Sequence, residues 1–345
     1  MKKVAILGAS GYTGTELIRL VLHHSKLELV AVSSEKYARL PVQEVFPAFS
    51  GVLDLTFHPL LDGGPLESAD YVFLALPHKK AMEVVPALIK KGKKVVDLSA
   101  DFRLRNPALY EQYYQKHTAP ELLGTSVYGL TEIYRDKIRN AQLIANPGCY
   151  PTAALLSLIP AVTNGLIEIT TIIVDAKSGV TGAGRNPVLP SLFAEVNEGV
   201  KPYKVGVHQH TPEIEQELGC AANSEIQLVF TPHLIPMNRG ILVTAYGTLK
   251  KKMTAEDVLD IYSIFYKDDI FVRICPAGAF PSTAQVKGSN YCDIGIFVDP
   301  RSNRLIVMGV IDNLLKGASG QALQNMNVMA GFNESEGIDQ LPIVP

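Results

Sequence analysis

The stretch Val4-Ala5-Ile6-Leu7-Gly8-Ala9-Ser10-Gly11-Tyr12-Thr13-Gly14 decides the reading of this chain of 345 residues. Four consecutive apolar residues make a strand of the kind buried on both faces. Glycine then ends the run, and Leu17, Ile18, Val21 and Leu22 form the apolar stripe of a helix. Glycines between strand and helix let the backbone approach a pyrophosphate. The helix start adds unpaired N–H groups and the positive end of its dipole. The spacing is GxxGxxG rather than GxGxxG, so the context of strand, turn and helix carries the dinucleotide reading. Gly8, Ser10, Gly11, Tyr12, Thr13 and Gly14 are its candidate contacts.

Outward from this turn, strand and helix patterns alternate. Strands are expected over 27–32, 70–76, 95–98 and 143–145, with a helix over 79–91 stopped by Gly92. Near-continuous apolar strands alternating with helices imply a parallel sheet covered on both faces. Beyond about residue 165 the pattern changes. Strands are expected over 170–176, 225–231, 240–249, 292–298 and 304–311, the last two joined by the loop Asp299-Pro300-Arg301-Ser302-Asn303. Thr254 and Asp257 have capping-box spacing, and a final helix spans roughly 314–329. The expected fold class is α/β: a Rossmann-type parallel-sheet domain plus a second α+β domain with a largely antiparallel sheet. No internal repeat is present.

Composition excludes several classes. Lys+Arg is 32 and Asp+Glu 34, so no excess of positive charge exists to neutralise nucleic acid. Apolar residues at 47% and charged residues at 19% suit globular domains with a sizeable core. The longest apolar run, 153–162, is broken by Ser157 and Pro160 and falls short of the ~18 residues that span a bilayer. The start, Met1-Lys2-Lys3 and a brief apolar run, lacks a signal-peptide core, so a cytoplasmic protein is expected. Cys149, Cys220, Cys275 and Cys292 contain no CxxC pair and read as free thiols, with no metal site.

The second strand ends in Val32-Ser33-Ser34, where an NAD site usually carries an acid for the ribose. Hydroxyls at Ser33 and Ser34, with Lys36 and Arg39 following, suit the 2′-phosphate of NADP. Glu35 argues mildly the other way, and a solvated loop would also explain Lys36 and Arg39.

The segment Ala145-Asn146-Pro147-Gly148-Cys149-Tyr150-Pro151-Thr152 places a thiol at a helix start, because Pro151 is tolerated only in a first turn. A thiolate there is stabilised by unpaired N–H groups and the dipole, and the same groups could hold an oxyanion. Many cysteines are merely small buried hydrophobes. A thiol beside a nicotinamide site nevertheless selects a chemistry: an aldehyde and an activated acid interconvert through a thioester, whereas ketone redox needs no nucleophile.

His208-Gln209-His210-Thr211-Pro212-Glu213 sets two histidines on one side of an extended segment, followed by a helix capped at Thr211. They read as proton donor and acceptor; a metal pair lacks further ligands at recognisable spacing, and ordinary surface histidines are the plain alternative. Arg103, in Asp97-Leu98-Ser99-Ala100-Asp101-Phe102-Arg103, follows the carboxyl end of a parallel strand and could grip a phosphate, or pair with Asp101. Ser178-Gly179-Val180-Thr181-Gly182-Ala183-Gly184-Arg185 is a second glycine-rich loop whose N–H groups could bind an anion. A flexible connection is nearly as good a reading of it.

Taken together, GASGYTG at 8–14, DLSADFR at 97–103, ANPGCYPT at 145–152, SGVTGAGR at 178–185, HQHTPEI at 208–214, FTPHLIPMNRG at 230–240 and the stretch Asp312-Asn313-Leu314-Leu315-Lys316-Gly317-Ala318 resemble the N-acetyl-gamma-glutamyl-phosphate reductase family over essentially the whole chain. The resemblance implies NADPH-dependent reduction of the acyl phosphate N-acetyl-L-glutamyl 5-phosphate to the 5-semialdehyde, in arginine biosynthesis. It implies Cys149 as nucleophile and His210 as acid/base, with His208 close behind. It also implies Arg103 and Arg185 toward phosphate, Ser178 and Gly179 toward the cofactor, and Asn313 near the nicotinamide. Domains of 1–148 with 313–345, and of 149–312, follow, as does a homodimer or homotetramer through the second domain's sheet. Aspartate-semialdehyde dehydrogenases share the chemistry, but typically carry Asn where Gly148 stands and a late motif absent here. An N-acetyl-aminoadipyl phosphate reductase differs by one substrate methylene, worth only ~1–3 kcal/mol. A nucleotide-sensing regulator without catalysis would not need Cys149 and both histidines.

Overall fold

The computed structural model describes residues 1–60 and 66–344. They form two units, Met1–Pro147 with Ala318–Asp339, and Gly148–Gly317 with Gln340–Pro345. The sequence resemblance places 313–345 wholly with the first domain. Instead Asn313 is bonded to Gly240, and Ile343 N–H reaches Lys287 O at 2.8 Å, which keeps both ends of that segment with the second unit.

The first unit is built on a sheet of β1 (Lys2–Leu7), β2 (Leu27–Ser33), β3 (Phe57–His58), β4 (Tyr71–Leu74), β5 (Lys94–Asp97), β6 (Val127–Tyr128) and β7 (Leu143–Ala145), in the order β3-β2-β1-β4-β5-β7-β6. Every neighbouring pair is parallel. Val4, Ala5 and Ile6 are fully buried, as a strand covered on both faces requires. Strand order reverses beside β1, which sets a ligand crevice at the carboxyl ends of β1 and β4. The helix Tyr12–Leu22 buries Leu17, Ile18, Leu20 and Val21.

The last helix, expected over 314–329, is in fact two pieces: a π turn over Leu315–Ser319 and an α-helix over Gly320–Ala330. The α-helix is buried nearly all round, through Ala322, Leu323, Met326, Val328 and Met329 and through amides that find partners in the first unit. Asn325 Nδ2 donates to Gly129 O at 2.7 Å and to Asn146 Oδ1 at 3.0 Å, and Thr131 Oγ1 donates to Asn325 Oδ1 at 2.8 Å.

The second unit carries β8 (Ile167–Ser178), β9 (Lys201–Pro202), β10 (Val229–Leu234), β11 (Ile241–Leu249), β12 (Val272–Ile274), β13 (Cys292–Asp299) and β14 (Arg304–Ile311), in the order β12-β13-β14-β11-β8-β10-β9. Four of the pairings are antiparallel; β8 with β10 and β12 with β13 are parallel. The helix Cys149–Thr163 lies against β8, β11 and β14, and is buried all round from Tyr150 to Val162. That agrees with the apolar character of 153–162 on every side. The sheet's other face shows an apolar row in register across five strands: Val229, Ile173, Tyr246, Ile306 and Phe297. Val229, Ile173 and Phe297 are exposed. The capping box at Thr254 and Asp257 forms, opening the helix Ala255–Phe265. Among the described residues, no helix is long and apolar enough to cross a membrane.

Candidate active site

In the first unit the glycine turn is packed so that only bare backbone fits. Gly8 has φ +82° and presses on Ala75 at the end of β4; an added Cβ would lie 2.8 Å from the Ala75 carbonyl carbon. A Cβ on Gly14 would lie 2.5 Å from Gly8 O. Gly11, the N-cap of the helix Tyr12–Leu22, has no side-chain cap, and its nearest neighbour to an added Cβ is 3.8 Å away. The helix start is therefore open where an anion would sit, which fits a dinucleotide pyrophosphate. Tyr12 is exposed beside it, and Thr13 O accepts from Ser319 Oγ at 2.8 Å.

Ser33 and Ser34 do not project into solvent. Both are buried: Ser33 Oγ accepts the Gly8 N–H at 3.1 Å, and Ser34 Oγ meets Ser10 Oγ at 2.8 Å. Their hydroxyls brace the glycine turn. Glu35 takes the Leu60 N–H at 2.6 Å, and Lys36 and Arg39 remain exposed on the same loop. A cavity lined by Leu7, Val32, Ser33, His58, Pro59 and Leu60 opens at this edge of the sheet.

Arg103 is buried, and donates through Nε to Asn146 O at 2.7 Å and through Nη2 to Leu98 O at 2.8 Å. Asp101 holds the loop after β4: it accepts from Lys79 N at 2.7 Å, Met82 N at 3.1 Å and Tyr110 Oη at 2.8 Å. Burial first, and then the neighbouring Asp101 charge, push the Asp97 carboxyl up to about 7.

In the second unit Cys149 is the first residue of its helix, behind Gly148, which has no capping side chain. The thiol is half-buried. Gly148 N–H donates to the buried carboxylate of Glu213 at 2.8 Å, which ties this helix start to the helix Thr211–Ala222. That helix begins one residue earlier than expected, with His210 rather than Thr211 at the N-cap.

The histidines do meet, though not as alternate residues of a strand. His210 is in a helical conformation, and Thr211 N–H closes a turn on His208 O at 3.0 Å. The two rings lie 4.8 Å apart, and each is within 6 Å of Tyr150. His208 is packed edge-on among Tyr150, Tyr203 and Phe230, and its Nδ1 accepts the His210 N–H at 3.0 Å. Burial, with a smaller contribution from Lys204, brings the His208 imidazole down to about 4. His208 is therefore neutral near pH 7 and carries its proton on Nε2.

The loop 178–185 is not an open ring of amides. Gly179, Val180 and Thr181 N–H groups are donated to the carbonyls of Gly240, Met237 and Asn238, because the loop lies directly on 237–240. Asn313 sews the two segments together: its Oδ1 accepts from Gly240 N at 2.7 Å and its Nδ2 donates to Thr181 Oγ1 at 2.9 Å. Ser178 is buried, whereas Arg185 is exposed. Glu213, Tyr203 and Arg239 escaped the sequence reading. Only Glu213 carried a signal, as an acid one helical turn beyond His210. Among the described residues, no three His, Cys, Asp or Glu side chains gather as metal ligands.

Two family models match this division. Residues 3–141 match a semialdehyde dehydrogenase NAD-binding domain, and residues 149–313 a semialdehyde dehydrogenase dimerisation domain. An N-acetyl-gamma-glutamyl-phosphate reductase of Desulfotalea psychrophila is 52% identical over 346 aligned positions, covering 100% of both chains. The chain belongs to the N-acetyl-gamma-glutamyl-phosphate reductase family. One from Geobacter sulfurreducens is 51% identical, again over 100% of each. Among solved structures, aspartate semialdehyde dehydrogenase II of Vibrio cholerae superposes with a TM-score of 0.75 at 16% identity, over 96% of this chain and 98% of its own. At that identity the likeness speaks for the fold alone. Family membership makes the chain an oxidoreductase with a nicotinamide-nucleotide-binding domain, and sets aside the aspartate-semialdehyde dehydrogenase alternative.

Proposed function

We propose that the chain reduces N-acetyl-L-glutamyl 5-phosphate to N-acetyl-L-glutamate 5-semialdehyde, with release of phosphate, as a cytoplasmic enzyme of arginine biosynthesis. The observation that carries the mechanism is the uncapped helix start at Cys149, beside the tyrosine–histidine cluster. Cys149 Sγ attacks the acyl carbon, the C–O bond to phosphate breaks, and a thioester remains. NADPH, when bound, would supply a hydride. Reduction of the thioester carbonyl leaves a thiohemiacetal oxyanion, whose C–S bond breaks to free the aldehyde and return the electron pair to Sγ. N–H groups at the helix start stabilise the oxyanion.

His210 is the acid/base, because His208 is held neutral and its Nδ1 is committed to the His210 amide. His208 orients its neighbour. Arg103 and Arg185 are assigned to phosphate, and Asn313, Ser178 and Gly179 to the cofactor. NADP rather than NAD is favoured by Lys36 and Arg39, since Glu35 is engaged with the Leu60 amide. The apolar row across β10, β8, β11, β14 and β13 supports assembly into a homodimer or homotetramer through that face.

The test is turnover of the acyl phosphate by the parent and by Cys149→Ser, with NADPH and with NADH. The serine variant should lose turnover while binding NADP within a few-fold of the parent. Retention of a sizeable fraction of parental turnover would remove covalent catalysis, and equal use of the two cofactors would remove the NADP assignment.

A further inference from the structure

We infer that Gly317 is a positioning residue for the Cys149 thiol; the inference rests on the reading of Cys149 as the nucleophile. After β14 the chain makes one π turn over Leu315–Ser319, a wide turn of a kind that recurs at functional sites. Asp312 fastens it. The Asp312 carbonyl accepts the Gly317 N–H, five residues on, at 2.9 Å. Its fully buried carboxylate takes N–H groups from Leu314 at 2.9 Å, Leu315 at 3.2 Å and Gly288 at 2.8 Å, and pairs with Arg239 at 2.9 Å. The turn cannot slide without breaking this set.

The turn carries bare backbone onto the nucleophile. A Cβ added at Gly317 would lie 2.9 Å from Cys149 Cβ, 3.3 Å from Cys149 Cα and 3.2 Å from Ile311 Cδ1. Gly317 is not among the positive-φ glycines, so glycine stands there for closeness and not for conformation. The atom it touches is the root of the reactive side chain, which has no freedom to swing away. A methyl group can be admitted only by moving the helix start or the turn. Further along the same helix, Gly309 of β14 packs on the Ser157 hydroxyl more closely still. Gly309 sets where the helix lies on the sheet; Gly317 sets where the thiol leaves it.

Gly317→Ala is compared with the double variant Gly309→Ala/Ser157→Ala, which adds a methyl group against the same helix away from the thiol and removes the Ser157 hydroxyl to make room for it. Iodoacetamide labelling of Cys149, followed by peptide mass, reads thiol placement independently of turnover; kcat, KM and the melting midpoint are measured alongside. Gly317→Ala should slow both labelling and kcat by about tenfold or more with KM little changed, since misplacement by about 1 Å can cost ~100-fold. The double variant should keep labelling and kcat near the parent even if it melts earlier. Parental labelling and kcat in Gly317→Ala would overturn the inference, as would equal slowing in both variants. If Gly317→Ala does not fold, adding Ile311→Val relieves the second contact and keeps the first. Failure of that variant to fold would make Gly317 a residue of the fold only. Turnover retained by Cys149→Ser would defeat the nucleophile reading and leave the labelling result standing on its own.

Discussion

The helices Tyr12–Leu22 and Cys149–Thr163 both begin behind a glycine without a capping side chain, Gly11 and Gly148. At the first, side chains are kept away: Gly8 and Gly14 have room only for hydrogen, and Ser33 braces the turn from below. At the second, side chains crowd in: Glu213 takes the Gly148 amide, and Tyr150 gathers both histidines. The contrast sets bare backbone, which suits an anion, against titratable groups, which suit proton transfer, around the same kind of helix end.

The largest effect that separates the two regions is expected at Gly8. Gly8→Ala adds a Cβ against Ala75 at a positive φ. Overpacking and backbone strain together should cost on the order of 3 kcal/mol and remove nicotinamide-nucleotide binding. Labelling of Cys149 in the second unit should stay within a few-fold of the parent. Nucleotide binding followed by fluorescence decides it; parental affinity in the variant would break the backbone-only account of this turn.

A second contrast lies in pH dependence. The unfolded chain takes up a proton at His208 near pH 6.5, while the folded chain refuses it until about pH 4. Stability therefore falls as pH drops through that window, by on the order of 3 kcal/mol in full. Asp97 has the opposite slope. Folded, it keeps its proton up to about pH 7; unfolded, it releases it near 3.8, so stability falls as pH rises between them. His24, lowered by burial in the first unit, adds to the His208 direction. Melting midpoints from pH 4 to 7 should lose most of their acid-side fall in His208→Gln, the rest belonging to His24, and their opposing slope in Asp97→Asn. Unchanged profiles in both variants would show that these groups do not carry the dependence.

The smallest effect is expected at Glu213. Replacing a charged acceptor for the Gly148 amide by a neutral one, in Glu213→Gln, should lower stability by about 1 kcal/mol. The chemistry at Cys149 should persist. A drop in melting midpoint several times larger would mean that Glu213 does more than receive that amide.

Much of this was legible along the chain. The strand over 4–7 and the glycines after it specified the parallel sheet and the tight turn that follows β1. Pro151 dated the helix start to Cys149, and Thr254 with Asp257 marked a cap that formed. Each rests on local rules: periodicity, the missing N–H of proline, the reach of a side chain over three residues. The burial of the helix Gly320–Ala330 was harder to read, because Gln321, Gln324, Asn325 and Asn327 are buried beside Leu323, Met326 and Val328 and read as polar until their partners are known.

The sequence by itself determined the fold class, the family and the residue types of the site. Tertiary structure alone decided what those residues do with their polar atoms. Ser33 and Ser34 turned inward to the glycine turn, Asn313 to Gly240 and Thr181, and the amides of 179–181 to 237–240. It also brought Gly317 onto Cys149, 168 residues earlier in the chain. The reason is physical. A periodic pattern reports which face of an element is buried, but a buried hydroxyl, amide or bare backbone takes its meaning from the group it meets, and that group is supplied by a distant part of the chain.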